Sequence, residues 1–217
     1  MKAQMSEEDR TLLLQDFAHL WYMECTNIPA YDLWVEEQDL SVAYRRFADN
    51  LRLIGSNDRD KRWVLKDPIH LIFMDPLLRQ FPDARIIETH RDPVKSIPSL
   101  CSLIMQLRRY FEGPDSDPRV LGPRKVRQWA HALETTDKVR EQRPGNFLDI
   151  HQTELIAQPM KVVERIYEFC DLRLTDPVRK RMLEWVEHNR SLPHGAHHYT
   201  LDEFGLTENM ILQAFDS

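Results

Sequence analysis

Glycine is scarce, six in 217 residues, at positions 55, 113, 122, 145, 195 and 205, and none falls in the first fifty. That leaves no glycine-bearing phosphate loop near the start of the chain. Cysteine is rarer still. Cys25, Cys101 and Cys170 are odd in number, widely spaced and set among apolar residues, which excludes a disulfide framework and indicates a reducing compartment. All three read as small core residues. No apolar run approaches the ~20 residues of a membrane span, and the opening MKAQMSEEDR has no apolar core of a secretory signal. The expected localisation is cytoplasmic. There is no basic excess either, since the net charge of -6 gives no general attraction for nucleic acid. The clusters RKVR at 124–127 and RKR at 179–181 read as solvated helix faces.

What is present is the composition of a folded protein, 42% hydrophobic and 29% charged with five tryptophans. One domain over 1–217 is the expectation. Ser6-Glu7-Glu8-Asp9 resembles a capping box, and Leu13, Phe17, Leu20 and Trp21 recur at helical spacing after it. A second helix runs from Ser41 through Tyr44, Phe47 and Leu51 to a stop at Gly55, a residue free to take positive φ. Trp63-Val64-Leu65 reads as a buried strand, His70 to Phe81 as a helix and Arg85 to Thr89 as the next strand. Asp92-Pro93 then opens another helix, as an N-cap followed by proline at the first helical position. The segment from Glu112 to Pro123 reads as a surface loop. Lys125 to Gln142 is a helix, Asn146 to Ile150 a third strand, and Pro159 and Pro177 each open a further helix. The alternation indicates an α/β fold with a parallel sheet flanked by helices, whose ligands bind at the carboxyl ends of the strands.

Two polar clusters lie at such ends. In Thr89-His90-Arg91-Asp92-Pro93-Val94-Lys95-Ser96, Arg91 offers a fork of donors, and the helix start offers free N–H groups and a positive dipole end. Together they suit a phosphate, with Ser96 or Ser99 adding a hydroxyl. The plainer alternative is that Asp92 caps its helix while Arg91 pairs with a surface acid. In Lys66-Asp67-Pro68-Ile69-His70, the lysine can neutralise charge on a leaving oxygen and the histidine can take a hydroxyl proton. There the alternative is a Lys66–Asp67 surface pair beside a histidine in a first helical turn.

His194, His197 and His198 lack the cysteine or carboxylate spacing that would complete a zinc set, so no metal is expected and the loop suits an anion better. The His90-Arg91-Asp92 and Asp202-Glu203-Phe204-Gly205 stretches are not a protein kinase signature. Ile97 stands where that signature needs Asn, and Glu203 interrupts its Asp-Phe-Gly.

Taken together, WVLKDPIHLIFMDPLLRQFPDARIIETHRDPVKSIPSLCSL, IHQTELIAQPMKVVERIYEFCDLRL and HHYTLDEFGL resemble the PAPS-dependent sulfotransferases of the bacterial type, in order and spacing, from about Trp34 onward. The resemblance implies a P-loop-like α/β fold and transfer of a sulfuryl group from 3'-phosphoadenylyl sulfate (PAPS), without a metal, to a small-molecule hydroxyl or amine acceptor. It implies that Arg91 and Ser99, eight residues apart as in the family, hold the 3'-phosphate. Lys66 would stabilise the transferring group, His70 would be the general base, and His197, His198 and Tyr199 would close over the nucleotide.

Three departures accompany it. Asp67 replaces the family's usual Ser and sets a negative charge near an anionic donor. Gln152 replaces an aromatic. The family's first strand, with its Ser/Thr- and Gly-containing 5'-phosphosulfate loop, finds no counterpart, so the chain is expected to be an N-terminally truncated, helix-rich version of the fold. Loss of that loop is expected to remove much of the catalysis and to expose a sheet edge that a protein partner could cover. The alternative function is a non-catalytic homologue that binds a nucleotide or a protein.

Overall fold

The computed structural model describes residues 8–58, 60–190 and 199–216. The chain opens with α1 (Arg10–Leu13), α2 (Leu20–Cys25), α3 (Pro29–Glu36) and α4 (Ser41–Ile54). The helical spacing around Leu13 and Leu20 is therefore shared by two helices. Between them the chain makes a 3-10 turn and Phe17 takes the left-handed conformation, φ 57°, which is unfavourable for a bulky side chain. The Tyr31 hydroxyl donates to the Phe17 carbonyl and the Phe17 ring stacks on Tyr22, which holds the break in place. In α4, Tyr44, Phe47 and Leu51 form one buried stripe. Gly55 ends it with φ -84°, not the positive φ expected. Its missing side chain matters for another reason, because a Cβ there would meet the Trp63 ring at 3.1 Å.

Trp63-Val64-Leu65 is not a strand, and Val64 is 93% exposed. A strand needs a neighbour for its backbone groups, and the N–H of Lys66 turns instead to the Asp9 carboxylate at 3.1 Å. The expected helix after it is split into α5 (Ile69–Ile72) and α6 (Met74–Gln80). β1 (Ile86–His90), α7 (Pro93–Glu112), α8 (Pro118–Gln142) and β2 (Phe147–His151) follow. α8 begins inside the expected loop, because Asp117 accepts from the Arg119 N–H and Pro118 occupies the first turn. The chain ends with α9 (Gln152–Ala157), α10 (Pro159–Phe169), α11 (Asp176–Arg190) and α12 (Glu208–Phe215). Among the described residues no helix is long and apolar enough to cross a membrane.

Among these residues the sheet has two strands, β1 and β2, parallel and paired from Ile86 opposite Phe147 to His90 opposite His151. Alternation puts Glu88, His90 and Asp149 on one face. Arg140 of α8 covers it, donating to both Asp149 oxygens at 2.7 and 2.6 Å and to Glu88, with its guanidinium over the Phe147 ring. Ligand atoms of Glu88, His90 and Asp149 lie within 4.8 Å of one another. Arg140 is the cation that this cluster already holds. Burial pushes Asp149 up, but the bonds from Arg140 and His90 outweigh it and hold the carboxyl below the ordinary 3.8.

Two apolar cores meet at Trp129. One gathers Leu13, Leu20, Tyr44, Phe47, Ile69 and Leu78, and the other Ile97, Cys101, Ile104, Leu121, Phe204 and Ile211. Cys25 and Cys101 are buried free thiols, pushed up by that burial to about 11 and about 12. The RKVR cluster of α8 is a solvated face only at Arg127, which is exposed. Lys125 is 1% exposed and donates to Gln128 at 2.9 Å, while Arg124 pairs with buried Asp32. These charges are buried because α3 brings carboxylates to meet them.

The Phe204-Gly205-Leu206 turn docks on the first turns of α8. A Cβ on Gly122 would lie 2.2 Å from the Phe204 carbonyl oxygen, and Gly205 has φ +64° where a Cβ would lie 2.9 Å from the Arg119 carbonyl oxygen. Gly122→Ala is therefore expected to destabilise the protein by about 3 kcal/mol. Thermal denaturation should show a midpoint lower by about 6–12 °C, and a shift under about 2 °C would mean that the turn is not held this closely.

Candidate donor and transfer site

At the carboxyl end of β1, Arg91 is exposed and its guanidinium has no partner among the described residues. The surface acid of the plainer alternative is not found. The other half of that alternative holds, because Asp92 caps α7. Its carboxylate accepts from the Val94 N–H at 2.9 Å, and its carbonyl accepts from Lys95 and Ser96 at 3.1 and 2.9 Å. Pro93 has no N–H. The first turn of α7 therefore has no free amides to offer an anion, contrary to expectation, and only side chains remain for that task. Ser96 and Ser99, three apart on α7 and half-buried, have hydroxyls with no partner among the described residues. Tyr199 is half-buried and packs on the cluster that contains Ile97 and Cys101 of the same helix. His194, His197 and His198 lie outside the described residues.

At the other end, Lys66 reaches the Glu8 carboxylate with its ammonium. The Lys66–Asp67 pair is not formed. Asp67 turns inward, accepting from Nε2 of His19 at 3.2 Å and from the Ile69 N–H at 3.0 Å. The tautomer of His19 follows, because its Nδ1 accepts from the Trp21 N–H at 3.0 Å and the ring proton must sit on Nε2. Burial pushes the Asp67 carboxyl up, but the His19 and Ile69 bonds outweigh it and hold it below 3.8. The charge that departs from the family pattern is thus sequestered from the surface.

His70 is tied by both ring nitrogens, Nε2 to the Asp9 carboxylate at 3.0 Å and Nδ1 to the Tyr44 hydroxyl at 2.9 Å. Asp9, His19 and Tyr44 were not legible as site residues, since no spacing links position 9 or 19 to position 67. Asp67-Pro68 marks only the local turn into α5.

Because its folded pKa is depressed, Asp67 contributes stability that is complete above 3.8 and is lost as pH falls through the folded value. Asp67→Asn is expected to cost about 2 kcal/mol at about pH 7. The gap between the two proteins should narrow toward about pH 3, as followed by denaturant unfolding. A gap independent of pH would remove the charged role.

A profile of the Sulfotransferase family matches residues 1–176. The chain is similar to two solved structures: the sulfotransferase STF1 of Mycobacterium tuberculosis H37Rv, at 33% identity and TM-score 0.85 over 99% of this chain and 56% of that one, and the sulfotransferase STF9 of Mycobacterium avium, at 31% identity and TM-score 0.87 over 97% and 54%. It is also 24% identical, over 69% of its length and 39% of the relative's, to the omega-hydroxy-beta-dihydromenaquinone-9 sulfotransferase Stf3 of Mycobacterium bovis. It spans about half the length of the solved relatives and less of the curated one. With its helix-rich α/β architecture and its small parallel sheet matching those structures, the chain belongs to the sulfotransferase family.

Proposed function

We propose that this chain binds PAPS by its 3'-phosphate and supports transfer of the sulfuryl group to a small hydroxyl or amine acceptor. The observation that carries the reading is the exposed Arg91 at the carboxyl end of β1, whose guanidinium, like the hydroxyls of Ser96 and Ser99 on the helix that follows, has no partner among the described residues. Arg91 and Ser99 hold the 3'-phosphate through charge-assisted hydrogen bonds, and Tyr199 covers the nucleotide. At the transfer end the Lys66 ammonium offsets charge on the leaving phosphate oxygen, and His70, oriented by Asp9, is the candidate base. Transfer of this kind depends on positioning and preorganised charge rather than on a covalent intermediate. The curated relative's name places its chemistry on an ω-hydroxy group, which favours a hydroxyl over an amine.

The test is incubation with PAPS carrying a labelled sulfuryl group and a panel of alcohols and amines. Label appearing in a sulfate ester, with adenosine 3',5'-bisphosphate released in equal amount, is the expected result. A folded chain that releases no bisphosphate with any member of the panel would contradict the transfer reading.

A further inference from the structure

We propose that His90, tied to Asp149, is a positioning residue for Arg91: it fixes the end of β1 so that the next side chain is aimed at the 3'-phosphate. The inference rests on the donor reading above and adds to it the groups that aim its arginine.

The Arg91 guanidinium has no partner among the described residues, so nothing bound to its own side chain sets its direction. Its backbone is the guide that remains. On one side stands His90, the last residue of β1, and on the other Asp92, whose carboxylate and carbonyl both cap α7. Arg91 is therefore a single-residue link between a strand end and a helix start. The helix side is fixed by its cap, and the strand side depends on what holds His90.

Two contacts hold it beyond the strand pairing. His90 Nε2 lies 2.6 Å from Asp149 Oδ1, and its ring packs against that of His151, its cross-strand partner, with 5.3 Å between centroids. Burial pushes the Asp149 carboxyl up, but the bonds from Arg140 and His90 hold it below 3.8. The carboxylate is thus ionised at neutral pH, and the histidine is the donor at Nε2. Asp149 is fixed in turn by Arg140, which donates to both of its oxygens and to buried Glu88. The contacts run from α8 through Asp149 and His90 to the residue beside Arg91.

Stability does not account for the arrangement. Taking charges out of water offsets most of what a buried ion cluster gains, and apolar side chains would join two strands as well. Hydrogen bonds of fixed direction add orientation, which a binding side chain needs from the residues behind it. His90 is the member of the cluster that stands next to the binding residue.

The test is calorimetric titration of adenosine 3',5'-bisphosphate and of 5'-AMP into wild type, His90→Phe, His90→Asn and His90→Gln, each also in the Arg91→Ala background. Phe keeps a ring without an N–H, and Asn is too short to reach Asp149. Each should weaken bisphosphate binding by about tenfold and leave 5'-AMP within about twofold, and either reads the effect if the other fails to fold. Gln places an N–H where Nε2 stood and should come within about threefold of wild type. In the Arg91→Ala background no His90 replacement should have a further effect, because His90 acts through Arg91. Equal loss for both nucleotides, a loss that adds in full to that of Arg91→Ala, or a Gln variant as weak as Phe would overturn the assignment. So would folded Phe and Asn variants with wild-type bisphosphate affinity, which would leave the donor site standing. If neither variant folds, His90 serves the fold itself and the assignment also falls. A wild type that binds no bisphosphate removes the donor reading and this inference with it.

Discussion

Arg91→Ala is expected to weaken binding of adenosine 3',5'-bisphosphate by about 10²-fold, because hydrogen bonds to a charged group each contribute about 1.5–3 kcal/mol and about 1.4 kcal/mol is tenfold in affinity. The arginine has no ion pair to give up among the described residues, so its loss should be felt in ligand affinity and not in folding. Arg91→Lys keeps the charge but not the planar fork, and should lose about tenfold. Ser99→Ala should also cost about tenfold. Ser96→Ala should stay within about twofold if Ser99 is the donor; the reverse ranking would transfer the role to Ser96. Affinity for 5'-AMP should not respond to Arg91→Ala, since that nucleotide lacks the phosphate Arg91 is proposed to hold. Isothermal calorimetry on the four variants reads all of these outcomes. Equal loss for both nucleotides would place Arg91 elsewhere on the ligand.

Arg108→Ala is expected to lower the unfolding free energy by about 3–5 kcal/mol. Arg108 is 2% exposed, and its guanidinium donates to the carbonyls of Met23 at 3.0 Å and of Glu24 and Thr26 at 3.4 Å. These are the orphan acceptors at the carboxyl end of α2. A six-residue helix cannot persist on its own propensity, so the tie from α7 is what fixes α2. Each carbonyl left buried and unpaired costs about 1–3 kcal/mol, and the vacated volume adds to this. Urea unfolding should show a lower midpoint at an unchanged slope. Arg108→Lys, which cannot span three carbonyls, should fall between the two proteins. A loss below about 1 kcal/mol would mean that water replaces the guanidinium there.

Local signals in the sequence carried well where a short stretch determines its own structure. Asp92-Pro93 and Pro159 open helices as expected, the strands at 85–89 and 146–150 appear one residue later, and α4 follows its apolar stripe. The misreadings lie where a distant partner decides. Leu13 to Trp21 has the spacing of one helix, but Phe17 breaks it because the Tyr31 hydroxyl is there to donate to its carbonyl. Trp63-Val64-Leu65 has strand composition, yet it pairs with neither strand of the sheet and Asp9 takes the Lys66 N–H. In the basic run at 124–127 Arg127 is solvated as expected, but composition does not show that Asp32 will meet Arg124 and Gln128 will meet Lys125. The anion site was legible in its side chains and not in its backbone, since the Asp92 that announces the helix also uses up its first amides. Asp9 was legible only as part of a capping box, and His19 gave no signal of its contact with Asp67.

The central claim is that this chain holds a nucleotide by its 3'-phosphate. Calorimetric titration of the purified wild-type chain with adenosine 3',5'-bisphosphate, beside 5'-AMP, tests it most directly. Saturable one-to-one binding of the bisphosphate, with 5'-AMP weaker by at least about tenfold, is the predicted result. Equal affinity for the two nucleotides, or no heat of binding from a chain shown to be folded, would contradict it.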